Sequence, residues 1–198
     1  MINFLNIDNS KPYKVFLGHY DNALNKNQRF IEAICISSFN KSLNEVSSRF
    51  VNLKYIKESE WIFFSNYNSP KSKDFGEHKQ ISAAIYWESI NLQIRIKANI
   101  IKTNSDFSDQ HFNMRGRKKN SLAISSNQSL KIDSYSKVEK NYIDVLESEK
   151  DLHRPDYWGG FSFTPYYFEF WEGEKFRLNK RNVYMLKRDT WESCILQP

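Results

Sequence analysis

Cysteine is scarce in this chain of 198 residues: Cys35 and Cys194 stand far apart, without metal-ligand spacing. That excludes a cysteine-based metal centre, and each thiol falls in an apolar, strand-like run where burial is expected. Glycine (6) and proline (5) are also few, so a low-complexity or disordered chain is excluded. No run approaches the roughly 18 apolar residues of a membrane span. Met1 to Pro12 lacks a basic stretch followed by an apolar one, so the expectation is a cytoplasmic protein with no membrane partner. Acidic residues are outnumbered, 23 against 29 Lys and Arg, for a net charge of +6. The surplus favours anionic partners, whether phosphorylated small molecules, nucleic acid or an acidic membrane surface, and charge alone does not choose among them.

What is abundant is aromatic side chain, 16% of residues, set mainly in short alternating runs. The length suits one domain over 1–198, or a subunit that completes its core by dimerising. Ser10 and Pro12 signal a helix start, and Tyr13, Phe16 and Tyr20 recur at helical spacing, predicting a helix over about 11–24. The period then changes. Phe30 to Phe39 and Glu45 to Ile56 read as a hairpin about Asn40-Lys41-Ser42, and Trp61 to Asn66, Ile81 to Glu88 and Leu92 to Thr103 continue as strands. Ser105 to Arg115 reads as a helix. So does Ser136 to Glu149, opened by a Ser136…Glu139 capping box. The polar stretch Arg117 to Asp133 reads as a loop. After a turn at Gly159-Gly160, closing strands follow through Trp171, Val183 to Lys187 and Trp191 to Leu196. Short strands mostly without intervening helices imply an α+β fold, an antiparallel barrel with peripheral helices.

Arg177-Leu-Asn179-Lys-Arg181 sets three polar groups at alternate positions, which in an extended segment project to one side. Guanidiniums aimed the same way call for an anion between them, or else form a solvated edge strand. His111 and Arg115 share one face of the first of the two later helices, and Arg117, Lys118 and Lys119 follow at once. These cations bind phosphate or simply face water. Ser69-Pro70-Lys71-Ser-Lys73 reads as a loop adding further cations, as do Arg49 and Lys54 near strand ends.

Taken in order, these pieces resemble the pyridoxamine 5'-phosphate oxidase family. Trp158-Gly-Gly-Phe161, Phe168-Glu-Phe-Trp171-Glu-Gly173 and Arg177-Leu-Asn-Lys-Arg181 are similar to its C-terminal motif, and Arg49-Phe-Val51-Asn-Leu-Lys54 to its first cofactor strand. Phe64-Ser65-Asn66 with Ser69-Pro-Lys71 resembles the next strand and phosphate loop, Gln93 the mid-sheet glutamine, and Gln128-Ser129 a later cofactor contact. The resemblance implies an antiparallel six-stranded FMN-binding split barrel, a homodimer with FMN at the subunit interface, and a phosphorylated small-molecule substrate in place of nucleic acid. It implies cofactor-binding roles for Arg49, Val51, Lys54, Phe64, Ser65, Lys71, Gln93, Gln128, Ser129, Trp171 and Arg181. Lys54, His111, Arg115 and Lys119 would hold the substrate, with Arg177 and Asn179 at the reacting carbon and no metal. Four positions depart from the family pattern. His111 replaces a Tyr, Lys119 a Ser and Asn179 a His, all on the substrate side, while Pro70 replaces an Arg beside Lys71. Asn179 cannot titrate near neutral pH, so any acid-base role of the usual His is lost.

Overall fold

The computed structural model describes residues 1–198. In chain order the elements are β1 (Asn3–Leu5), α1 (Lys11–Asn25), β2 (Ala33–Asn40), β3 (Glu45–Asn52), β4 (Tyr55–Lys57), β5 (Glu60–Asn66), α2 (Pro70–Glu77), β6 (Gln80–Trp87), β7 (Leu92–Lys102), α3 (Ser105–Met114), α4 (Arg117–Ser125), α5 (Tyr135–Leu146), β8 (Trp158–Glu172), β9 (Lys180–Lys187) and β10 (Thr190–Ile195). Ten strands share one sheet, ordered β1-β4-β5-β8-β7-β6-β2-β3, with β9 also on β8 and β10 on β9. The α+β barrel expected from the sequence is present. Its strand count exceeds six because short strands extend the sheet at its margins.

Strand β8 organises the sheet. Along one side it pairs with β7, from Phe161 to Glu172; along the other it pairs first with β5, from Trp158 to Phe163, and then with β9, from Tyr167 to Glu172. Two strands following each other on one side of a third is where the barrel splits. A register shift opposite Lys97/Ala98 bends β8 between these halves, next to Pro165, which has no amide proton to give to the ladder. Gly159 and Gly160 lie within this strand and make no turn there. Their need is for space: a Cβ on Gly159 would collide with the Tyr67 hydroxyl, and one on Gly160 would lie 2.5 Å from Thr103 Oγ1.

Alternation sets which side chains enter the barrel. On β7, Leu92, Ile94, Ile96, Ala98 and Ile100 are buried while Arg95 and Lys97 point out. Helix α1 closes the interior: Phe16 is fully buried with its ring 4.6 Å from Trp61 and 5.6 Å from Trp87.

Several sequence expectations are corrected. Residues 117–125, read as loop, form α4, held to α3 by the buried Asn120, whose Nδ2 donates to the Phe112 carbonyl at 3.0 Å. The Ser69–Lys73 loop is instead the start of α2. Helix α5 is capped by Ser134, whose hydroxyl accepts from the Lys137 amide, so Ser136 is not the cap. Phe30 lies before β2 at positive φ, and Glu45 to Ile56 breaks into β3 and β4. Cys194 is exposed on β10 and Cys35 half-buried, because both face out of the barrel. No helix is long and apolar enough to cross a membrane.

Truncating the central plug tests this packing. Phe16→Ala should lower the unfolding free energy by about 3–5 kcal/mol in urea titrations; a loss under about 1 kcal/mol would mean that α1 does not fill the barrel.

Candidate functional site

A cleft of about 700 Å³ opens where β3 and β5 face α2 and the corner between α3 and α4, a size suited to a small-molecule ligand. Arg49, Lys54, Lys71, Arg115 and Lys119 line it, against one carboxylate, Glu32. These cations fall into two groups.

At the first, Lys71 on the opening turn of α2 is buried, and its Nζ donates to Ser65 Oγ (3.1 Å), Ser69 Oγ (3.0 Å) and Gln128 Oε1 (3.2 Å). Burial and the nearby Arg49 hold its pKa down to about 8. Arg49, on β3, anchors one guanidinium nitrogen to Ser38 Oγ at 2.7 Å. Gln128 Oε1 also accepts from Ser65 Oγ (3.1 Å), which ties the segment after α4 to β5. Beside it Ser129 sits at φ 70, a left-handed conformation uncommon outside glycine.

The second group surrounds His111. Its ring lies 3.7 Å from Phe64 and near-parallel to it, with Trp158 parallel on the same floor, and Tyr55 Oη shares a 2.8 Å hydrogen bond with Nδ1. Arg115 stands 4.3 Å over Trp158, donates through Nη2 to Lys119 O at 2.7 Å, and leaves Nη1 buried without a partner. A buried donor of this kind would be satisfied by a ligand oxygen. Desolvation first, then Arg115, Lys54 and Lys119, push the His111 pKa down to about 4, and burial also lowers that of Lys54. The cleft thus offers two cationic stations joined by an aromatic floor, an arrangement for a flat ligand or ligands with two anionic groups.

Of the residues singled out from sequence, Arg49, Val51, Lys54, Phe64, Ser65, Lys71, His111, Arg115, Lys119, Gln128 and Ser129 meet here. Gln93, Trp171 and Arg181 do not. They stand side by side on β7, β8 and β9 as partners in register, half-buried and outside the cleft. The expected extended row of Arg177, Asn179 and Arg181 is not formed, because only Arg181 lies in a strand. Phe176 and Arg177 take positive φ (58 and 61) in a tight turn, and Asn179 Oδ1 accepts from the Glu174 amide at 3.1 Å. Arg181 is held by the buried Glu169 through Nε (2.9 Å) and Nη2 (2.8 Å). Of the basic run 117–119, Arg117 turns away to bind carbonyls at the end of α5.

Sequence reasoning did not place Trp158, Tyr55 or Glu32 in the site. Trp158 lay within a motif already marked, and the signal available was its place beside Gly159-Gly160; Tyr55 and Glu32 carry no local signal.

Residues 158–198 match the family described as the pyridoxine 5'-phosphate oxidase C-terminal dimerisation region. The chain is 31% identical over 190 residues to the pyridoxine/pyridoxamine 5'-phosphate oxidase of Leptospira biflexa, covering 94% of this chain and 89% of that one. It is 33% identical to the protein of that name from Christiangramia forsetii, covering 94% and 88%. Among solved structures, PhzG from Burkholderia lata in complex with tetrahydrophenazine-1-carboxylic acid superimposes with a TM-score of 0.90 at 22% identity, over 96% of this chain and 93% of that one. A pyridoxamine 5'-phosphate oxidase-related, FMN-binding protein from Nostoc punctiforme gives 0.77 at 11% identity, over 96% and 99%. At those identities the structural likeness is one of fold.

The charge around His111 has a consequence for acid stability. The fold holds the imidazole neutral, so between pH 6.5 and about 4 the unfolded chain binds more protons. Stability from neutral His111 is complete above pH 6.5 and is lost as the pH falls toward about 4. His111→Gln should flatten the pH dependence of unfolding in that window; an unchanged slope would show that the imidazole titrates normally.

Proposed function

The chain belongs to the pyridoxine/pyridoxamine 5'-phosphate oxidase family and is an FMN-dependent oxidoreductase, and from that premise we propose that it oxidises pyridoxamine 5'-phosphate or pyridoxine 5'-phosphate to pyridoxal 5'-phosphate with O2 as acceptor. It does so as a cytoplasmic homodimer whose other partner is the phosphorylated substrate, with no nucleic acid or membrane involved. The observation that carries this reading is the pair of cationic stations on one aromatic-floored cleft.

Arg49 and Lys71 hold the FMN phosphate. Both are fixed by hydroxyls, and an anion between them relieves their mutual repulsion and the desolvation that lowers Lys71. Val51, Phe64, Ser65, Gln128 and Ser129 flank the flavin, and Lys54 lies close enough to Arg115 and Lys119 to feel their charge. Arg115 and Lys119, with His111 as a neutral hydrogen-bonding group, clamp the substrate phosphate, and the free Nη1 of Arg115 fits that role. Gln93, Trp171 and Arg181 reach the flavin from the second copy of the chain. Their outward placement on the sheet, with Trp171 and Arg181 inside the matched dimerisation region, supports this division. The chemistry that bound FMN would supply is a two-electron acceptor for hydride from the amine- or alcohol-bearing carbon of the substrate, with O2 as the final acceptor and peroxide as its product. The chain's task is orientation: the phosphate clamp fixes the ring, and Arg177, which lies outside the cleft on a turn at positive φ, would reach the reacting carbon from the second copy of the chain. Asn179 contributes hydrogen bonding and no proton transfer.

A second reading keeps FMN and the clamp but takes another anionic ring compound. The uncharged His111 and the non-titrating Asn179 favour it. Steady-state oxidation of pyridoxamine 5'-phosphate separates the two: no turnover at millimolar substrate by flavin-loaded protein would rule out the first.

Variants sort the stations. Lys71→Ala and Arg181→Ala should lower flavin content as purified, whereas Arg115→Ala should retain flavin and raise the KM roughly tenfold or more. Equal flavin loss in all three would contradict the assignment.

A further inference from the structure

Behind the first station lies a carboxylate that does not line the cleft. Asp74 on α2 is 3% exposed. One of its oxygens accepts from Ser38 Oγ at 2.6 Å, the other from Asn40 Nδ2 at 2.8 Å, and Arg49 Nη2 lies 3.9 Å away. Ser38, 2% exposed, also receives Arg49 Nη1 at 2.7 Å. A serine hydroxyl has a single proton. With that proton given to Asp74, the oxygen can only accept, and its lone pairs face the guanidinium. The carboxylate therefore sets the direction of the hydroxyl, and the hydroxyl sets that of Arg49.

We propose that Asp74 is a positioning residue for the phosphate of FMN: through Ser38 it aims Arg49 into the cleft, and its charge allows Arg49 and Lys71 to be held near each other before the cofactor arrives. The inference rests on the reading of Arg49 and Lys71 as the FMN phosphate station. Charge supports it from both sides. Arg49 depresses Lys71, and Asp74 is the one carboxylate acting on both in the opposite sense. An amide at this position would lose the charge and one of the two oxygens, so it could not accept from Ser38 and Asn40 on separate oxygens as the carboxylate does. The competing role is a purely structural one, tying α2 to β2.

FMN and riboflavin differ by the phosphate alone, so their affinities separate these roles. The full-length chain, stripped of flavin, is titrated with each by quenching of flavin fluorescence, for wild type, Asp74→Asn and Ser38→Ala. Positioning predicts that both variants lose FMN affinity by roughly ten- to a hundredfold, the range of a charge-assisted hydrogen bond, while riboflavin affinity stays within about twofold. Equal weakening of both flavins would leave only the structural role and overturn the proposal, as would an undiminished preference for FMN in the variants. A wild-type protein with no preference for FMN would instead refute the phosphate station itself. Should Asp74→Asn fail to fold, Ser38→Ala decides alone, since it keeps the carboxylate and removes only the hydroxyl between it and Arg49.

Discussion

Like charges held close together in one cleft, most of them partly withdrawn from water, are the constraint from which the rest of this structure follows. Five cationic side chains share one cleft with one carboxylate, and burial strengthens their repulsion while raising the cost of keeping each charged. Four of them respond: burial lowers the pKa of Arg49, Lys54 and Arg115, and burial with Arg49 brings that of Lys71 down to about 8. His111 gives up its charge altogether at neutral pH. Such a cluster persists only where the scaffold fixes each group.

The scaffold does this with short, stiff connections. Arg49 lies on β3, Ser65 near the end of β5 and Lys71 in the first turn of the helix that follows, so three elements converge on one station. The opposite station is built by α3 and α4 packed on the start of β8, where Gly159 and Gly160 let Tyr67 and Thr103 approach the strand and Trp158 supplies a face for Arg115. The long β8 then carries the chain across the sheet to Trp171, beside Gln93 and Arg181. One strand therefore links the cleft to the outward-facing row that the proposed function assigns to a partner's site.

Much of this was legible in the residues, and the exceptions have physical causes. Alternation gave β6 and β7 away because one face of each is buried in the barrel. The helix of Arg117–Ser125 was hidden because it has almost no apolar stripe: Asn120 holds it to the Phe112 carbonyl of α3, and such a bond leaves no period in the sequence. The turn read at Gly159-Gly160 failed because these glycines serve close approach, not positive φ. The Arg177–Arg181 row failed because two successive left-handed residues break the extended segment that its spacing presumed. The cleft residues came together as expected from the family resemblance, while Asp74 and Ser38 left no trace, since a hydroxyl and a carboxylate from distant elements meet only once the chain is folded.

The central claim is that each flavin site is divided between two chains, one giving the cleft and the other the row of Gln93, Trp171 and Arg181. Co-expression of differently tagged Lys71→Ala and Arg181→Ala chains, with purification of the mixed dimer, addresses it directly. A divided site places both substitutions in one cleft and leaves the other intact, so the mixed dimer should bind flavin at one of its two sites although neither parent dimer holds it. A mixed dimer as empty as its parents would show that each site belongs to a single chain and would contradict the account.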